Sequence, residues 1–396
     1  MSMDSNEDST TSTSKINRLW GYIYRCYGFQ ILGDYVTPAP KCCFACFAVI
    51  QVLINAIITA SCVVGVIQDT SITNISLLSA NLAYWLQSTR CLIVLYKKQN
   101  QYSHYLNELL QNITAEYRNH AWKLLLKVMT ALSVLIIINV VELMVFDYTP
   151  FKNYNFYFTW KIIGIIYWFV LIFNETTKIL FVFFCILLAF NFECLLSDVE
   201  KSMAFFSSLT DQKIHMLSYH YKYYRIIHWL NEVNKLFDSL LPVWIIGDIF
   251  YVCVSLRFLI TNIDMLGFSV VFTIRIFGLL LAMYKYAAHV NEKAVATAIA
   301  ITKLTDSQVN NYDPQVFNLS TSKRDVNNWS CHLFMHSLSF ASVGINVSGC
   351  FILTRGSILT LVGTLLTYVV VVLQTVDSTS SVFNNTAKMN DTDTEL

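Results

Sequence analysis

Residues 351–376 read FILTRGSILTLVGTLLTYVVVVLQTV, and the one Asp, Glu, Lys or Arg in that run is Arg355. A helix rising 1.5 Å per residue needs about 20 mostly apolar residues to cross a bilayer core. This run is long enough. Working back from it, stretches of the same kind lie at 43–67, 75–96, 126–146, 160–190, 240–260 and 266–284, which makes seven expected spans. Cutting 160–190 at Asn174-Glu175-Thr176-Thr177-Lys178 leaves pieces too short to cross, so one long or tilted span is the better reading. Composition agrees. Of 396 residues 55% are hydrophobic and 13% charged, with a mean hydropathy of +0.50, and soluble chains carry about twice that share of charge. The expected fold class is an all-α polytopic membrane protein.

A net charge of +1 offers no basic field for nucleic acid, so none is expected as a partner. The eleven cysteines are scattered rather than spaced as a disulfide framework. Cys42, Cys43 and Cys46 lack a second ligand pair for zinc; packing or reversible lipidation at the membrane edge are the readings left. His332 and His336 share a helix face, where packing is preferred over a metal site. No HExxH, GxSxG or P-loop pattern occurs, and neither an enzyme nor a cofactor is expected. Residues 1–14 are polar and no short apolar core precedes residue 43, so the first span is expected to direct insertion itself.

Lys and Arg set the orientation, because cytoplasmic connections carry the excess. Of the 27, nineteen lie in the N-terminal segment, 97–127, 191–239 and 285–350, and four in the opposite connections and the tail. The N-terminus is therefore expected inside and the C-terminus outside, the reverse of a G-protein-coupled receptor. The expected organisation is a cytoplasmic segment 1–42, six spans with helical extensions over 43–284, a cytoplasmic anchor region 285–350, the last span 351–376 and an outer tail 377–396. Tyr102, Tyr105, Leu106, Leu109 and Leu110 recur at helical spacing in one extension, and 305–328 reads as a loop.

Charges within spans cost several kcal/mol unless paired or hydrated, about 2.5–3.5 on insertion scales. Asp248 and Arg275 sit near the middles of consecutive antiparallel spans and are expected to pair with each other. Glu175 and Lys178, three apart, suit a local pair. Asn81, Tyr84, Trp85, Asn139, Glu142, Trp160 and Tyr167 fall in the outer halves of their spans. Together they would form a pocket with an apolar wall and a few directing groups, in which a cationic ligand stacks on Trp85 or Trp160 and faces Glu142.

In the last span Thr367-Tyr368, five apolar residues and Gln374 follow an upstream Gly344-Ile345-Asn346. This pattern resembles the signature in the last helix of insect gustatory receptors, and the expected span count, orientation and chain length match that family. Two positions depart from it: Thr375 stands where the motif ends in Phe, and Val369 where sugar-sensing members carry an acid. The second points away from sugars, toward bitter or contact chemicals. The resemblance implies a tetrameric, ligand-gated, non-selective cation channel in the plasma membrane of a sensory neuron, homomeric or mixed with related receptors. Its partners would be a small-molecule tastant, permeant cations and membrane lipid. Thr364, Thr367, Val371, Gln374 and Asp377 share one helix face. Around a four-fold pore, Val371 would close the path by dewetting, Gln374 and Thr375 would line the constriction, and Asp377 would favour cations. Tyr368, off this face, is expected to pack against a neighbouring helix. The alternative is a secondary transporter, with coupling charges near the midplane, or an inverted-topology chemoreceptor acting without its own pore.

Overall fold

The computed structural model describes residues 4–29, 41–68, 70, 72–145, 157–205, 209–261, 266–310 and 343–392. Nine helices follow in order among these: α1 Asp4–Arg25, α2 Lys41–Gln68, α3 Ile72–Asn112, α4 Ala115–Val145, α5 Tyr157–Phe205, α6 Leu209–Phe237, α7 Leu241–Thr261, α8 Leu266–Asn310 and α9 Arg355–Thr392. A two-stranded hairpin, β1 Asn346–Val347 and β2 Phe351–Ile352, precedes α9.

α5 is the axis of the bundle. It runs unbroken through Asn174–Lys178, and every side chain from Phe173 to Phe192 is buried. A helix apolar on all sides hides from solvent on all sides, and α3, α4, α6 and α8 pack around it. Among the described residues six helical segments are long and apolar enough to cross a membrane: 43–68, 115–141, 165–203, 241–259, 270–304 and 355–374. The expected second span, 75–96, is also helical, within α3. Asn81, Gln87 and Arg90 dilute its apolar character, and it falls below the same hydropathy standard.

Three connections turn out more ordered than their sequence suggests. α1 extends into the polar first residues and buries Ile16, Trp20 and Tyr24, spaced four apart, against the bundle; Trp20 meets Phe183 at a centroid distance of 5.9 Å. Beyond it Gly28, at φ +79°, passes so close to the Cys43–Phe44 backbone that any Cβ would collide with it. α8 continues to Asn310, into the expected 305–328 loop, whose remainder lies outside the described residues. α9 likewise carries on past residue 376 to Thr392, so the last span and the described part of the expected tail are one helix.

Candidate functional site

The last helix is held along one side only. Leu361, Leu365 and Val372 are buried toward α7 and α8, and Tyr368 is half-buried beside them. Thr364, Thr367, Val371 and Gln374 lie on exposed positions of the same helix. The Thr364 and Thr367 hydroxyls donate to the carbonyls of Thr360 and Gly363, both at 2.9 Å. Each hydroxyl donor is thus satisfied inside the helix, which lets these threonines stand at exposed positions. Thr375 and Asp377 continue the helical path, but their side chains lie outside the described residues.

The approach to α9 is a tether that the Gly344–Asn346 segment builds. Asn234 on α6 donates to the Gly344 carbonyl at 3.1 Å and accepts the Asn346 backbone N–H at 3.2 Å. Asn291 on α8 donates to the Val343 carbonyl. A Cβ on Gly344 would meet Ile352 at 2.6 Å, so glycine is needed for the hairpin to close. Ser348 and Gly349 turn it at φ 47° and 75°. Arg355, the first residue of α9, then pairs with Glu292 on α8. The long helix α8 is therefore fastened to α9 at its first turn.

Deeper in the bundle, the expected Asp248–Arg275 pair does not form. Asp248 Oδ1 takes Lys178 Nζ at 2.5 Å, and Arg275 Nε takes Glu175 Oε1 at 3.0 Å. All four side chains are buried. The reason is that α5, packed closely on α8, also brings Lys178 within reach of Asp248 on α7. Glu175 and Lys178, three apart on α5, face different partners and each meets an opposite charge there, so no local Glu175–Lys178 pair forms either. Around Lys178 and Asp248 several further polar groups join in, while Asp248 Oδ2 has no hydrogen-bond partner among the described residues. Gln87 Nε2 donates to Asp248 Oδ1 at 3.2 Å, Asn174 Nδ2 donates to Gln87 Oε1 at 3.0 Å, and Trp244 Nε1 donates to Asn174 Oδ1 at 3.1 Å. Arg275 also donates to Asn139 Oδ1 at 3.1 Å and lies 4.4 Å from the Trp168 ring centroid.

Of the expected pocket residues, the structure brings Tyr84 and Tyr167 together, with ring centroids 5.9 Å apart. Tyr251 stands at the same distance from Tyr84, and Phe272 lies 6.0 Å beyond Tyr251. Asn139 belongs to this region through Arg275. Asn81 does not, because its amide donates to Thr59 on α2 at 2.7 Å. Trp85 is half-buried. Glu142 and Trp160 lie on α4 and α5 with side chains outside the described residues. Sequence reading missed Gln87, Asn174, Trp168, Trp244, Tyr251 and Phe272. A signal existed for Gln87 and Asn174, amides in the middle of apolar runs; nothing local marks the aromatics among so many. Among the described residues no group of three His, Cys, Asp or Glu is placed to hold a metal.

This arrangement is a bundle of long helices around a buried axis with a peripheral last helix, and its apolar helices are of the length and composition of a multi-pass membrane protein. No protein-family model matches the sequence, and no curated protein matches it either. The structural match is extensive. The insect olfactory receptor OR5 from Machilis hrabei superposes with a TM-score of 0.69 at 17% identity, covering 93% of this chain and 99% of that one. The same receptor in complex with eugenol gives 0.64 at 17% identity, covering 91% and 98%. The likeness is one of fold, and both of these structures are of an olfactory receptor.

Proposed function

We propose that this chain is a subunit of a chemosensory cation channel opened directly by a small external molecule, acting in taste or contact chemoreception rather than as an enzyme. The reading includes seven spans, the seventh supplied by 75–96 in α3, with the N-terminus inside and the C-terminus outside. Four subunits, identical or mixed with related receptors, surround a pore in the plasma membrane of a sensory neuron. The observation that carries it is the olfactory-receptor fold over nearly the whole chain, combined with a last helix whose Thr364, Thr367, Val371 and Gln374 are exposed among the described residues. Four such faces turned to a common axis would enclose a polar path narrowed by Val371.

The ligand would enter beside Tyr84, Tyr167 and Tyr251, where apolar rings and few polar groups suit a small aromatic compound. Eugenol, which the neighbouring receptor binds, is a sensible first probe beside bitter compounds, sugars and cuticular lipids. A ligand that fits the open state better than the closed one draws the equilibrium open. The test is current recorded from the chain expressed alone. Gln374→Ala and Val371→Ala are expected to change basal current or gating, and normal gating and permeation after both would remove the pore assignment. A secondary transporter remains the second reading because of the four buried charges near mid-span, which such a protein would use for coupling. Saturable uptake without channel-like conductance would favour it.

A further inference from the structure

Between α4, α5, α8 and the first turn of α9 lies a cavity of about 490 Å³. Leu124, Ile186, Phe190 and Ile358 give it an apolar wall, and His120, Lys285, His289 and Arg355 bring basic groups to the same space. Glu292, the acid at this site, is already paired with Arg355. Lys285 is exposed and, among the described residues, has no carboxylate partner; its ammonium lies 5.7 Å from the Tyr286 ring centroid. One uncompensated cation therefore borders a largely apolar hollow.

Its place in the fold narrows the occupant. Lys285 is the first residue after the apolar run 266–284, and Arg355 opens the last one. On α4 and α9 the basic residue comes about one turn before the apolar one that lines the same cavity, His120 before Leu124 and Arg355 before Ile358. On the expected span bounds of 266–284 and 351–376, Lys285 and Arg355 fall at the level where a bilayer's headgroups would meet its chains. A free soluble anion would use the basic groups and leave the apolar wall wetted. A neutral lipid would fill the wall and leave Lys285 unmatched.

We propose that this cavity binds an anionic phospholipid from the adjacent leaflet, its phosphate set against Lys285 and His120 and its chain lying on Leu124, Phe190 and Ile358. The inference goes beyond the channel reading and does not need it, since a transporter with this fold would carry the same site. Because the cavity adjoins the Arg355–Glu292 fastening, lipid occupancy would bear on the first turn of α9.

The test uses the full chain purified in neutral detergent, with bound lipid counted by native mass spectrometry after adding phosphatidylserine, phosphatidylcholine or inorganic phosphate. Phosphatidylserine is expected to stay bound in preference to phosphatidylcholine, and inorganic phosphate is expected not to displace it. Lys285→Gln should lower retained phosphatidylserine about fivefold, the loss associated with one basic group at a membrane surface. Ile358→Trp, which fills the hollow, should abolish retention. Equal retention of the two lipids, or retention untouched by both variants, overturns the proposal. Displacement by phosphate would assign the site to a soluble anion. Disulfide cross-linking between copies of an Ile358→Cys variant through this cavity would give it to a second subunit. Should neither variant fold, the comparison of the two lipids on the unaltered chain decides.

Discussion

Removing Asp248 should injure this protein more than removing Asp248 and Lys178 together. In the folded chain Lys178 Nζ has two partners, Asp248 Oδ1 at 2.5 Å and, more weakly, Gln87 Oε1 at 3.4 Å. Asp248→Leu leaves the ammonium buried with only that amide oxygen. Breaking a buried pair from one side costs about 3–5 kcal/mol, because the remaining charge is desolvated and unmatched. Even the lower bound is about a hundredfold in the folded fraction. Lys178→Met alone should cost a similar amount, now with the carboxylate stranded beside Gln87. In the double variant no charge is left over. Gln87 Nε2 keeps acceptors at the Val243 and Trp244 carbonyls, 3.3 and 3.4 Å away, and Gln87 Oε1 keeps the Asn174 amide. The double change should therefore cost about 1 kcal/mol or less. A reversible unfolding titration in mixed micelles, followed by tryptophan emission, measures all three. Losses that simply add would refute the reasoning, since additivity means the two groups do not interact in the folded state.

Other expectations follow from the same geometry. Arg275→Lys should destabilise by about 2 kcal/mol despite keeping the charge, because an ammonium cannot span Glu175, Asn139 and the Trp168 face at once; an unchanged unfolding midpoint would contradict this. Glu292→Arg should alter gating by repelling Arg355, and adding Arg355→Glu should restore it, as recorded in voltage-clamped cells. Asp377→Lys should reduce cation preference, visible as a shifted reversal potential under a salt gradient. The hydrogen bond from Lys235, aided by the Tyr105 hydroxyl, holds Glu232 below the usual carboxylate range. Its tie between α3 and α6 should persist at neutral pH and weaken as acidification protonates it. Hydrogen-exchange protection in 98–112 should then fall only once the pH drops below the ordinary glutamate range, and Glu232→Gln should lessen that fall.

Membrane character was legible in the sequence because it is a sum. Twenty apolar residues in a row leave few other solutions, whatever surrounds them, and α2, α4, α5, α7, α8 and α9 lie where those rows are. The polar and apolar positions of the last helix were legible for the same local reason, since residues three and four apart share a face in any helix. What the chain alone did not disclose was pairing at a distance. Asp248 and Arg275 looked like partners because their spans are neighbours in sequence. Tertiary packing instead sets α5 within reach of both, so Lys178 and Glu175 take the two charges. Of the tether, Gly344–Asn346 stood out in the sequence, but its partners did not. Asn234 and Asn291 are ordinary residues until the fold places their two amides on the backbone from Val343 to Asn346. Nor did Ile16, Trp20 and Tyr24 declare themselves, because a short stripe beside a polar tail becomes a buried helix only when a bundle offers it a groove. Local periodicity specifies which segments are helices and which faces are apolar; the choice among several compatible partners is made by the packing of the whole chain.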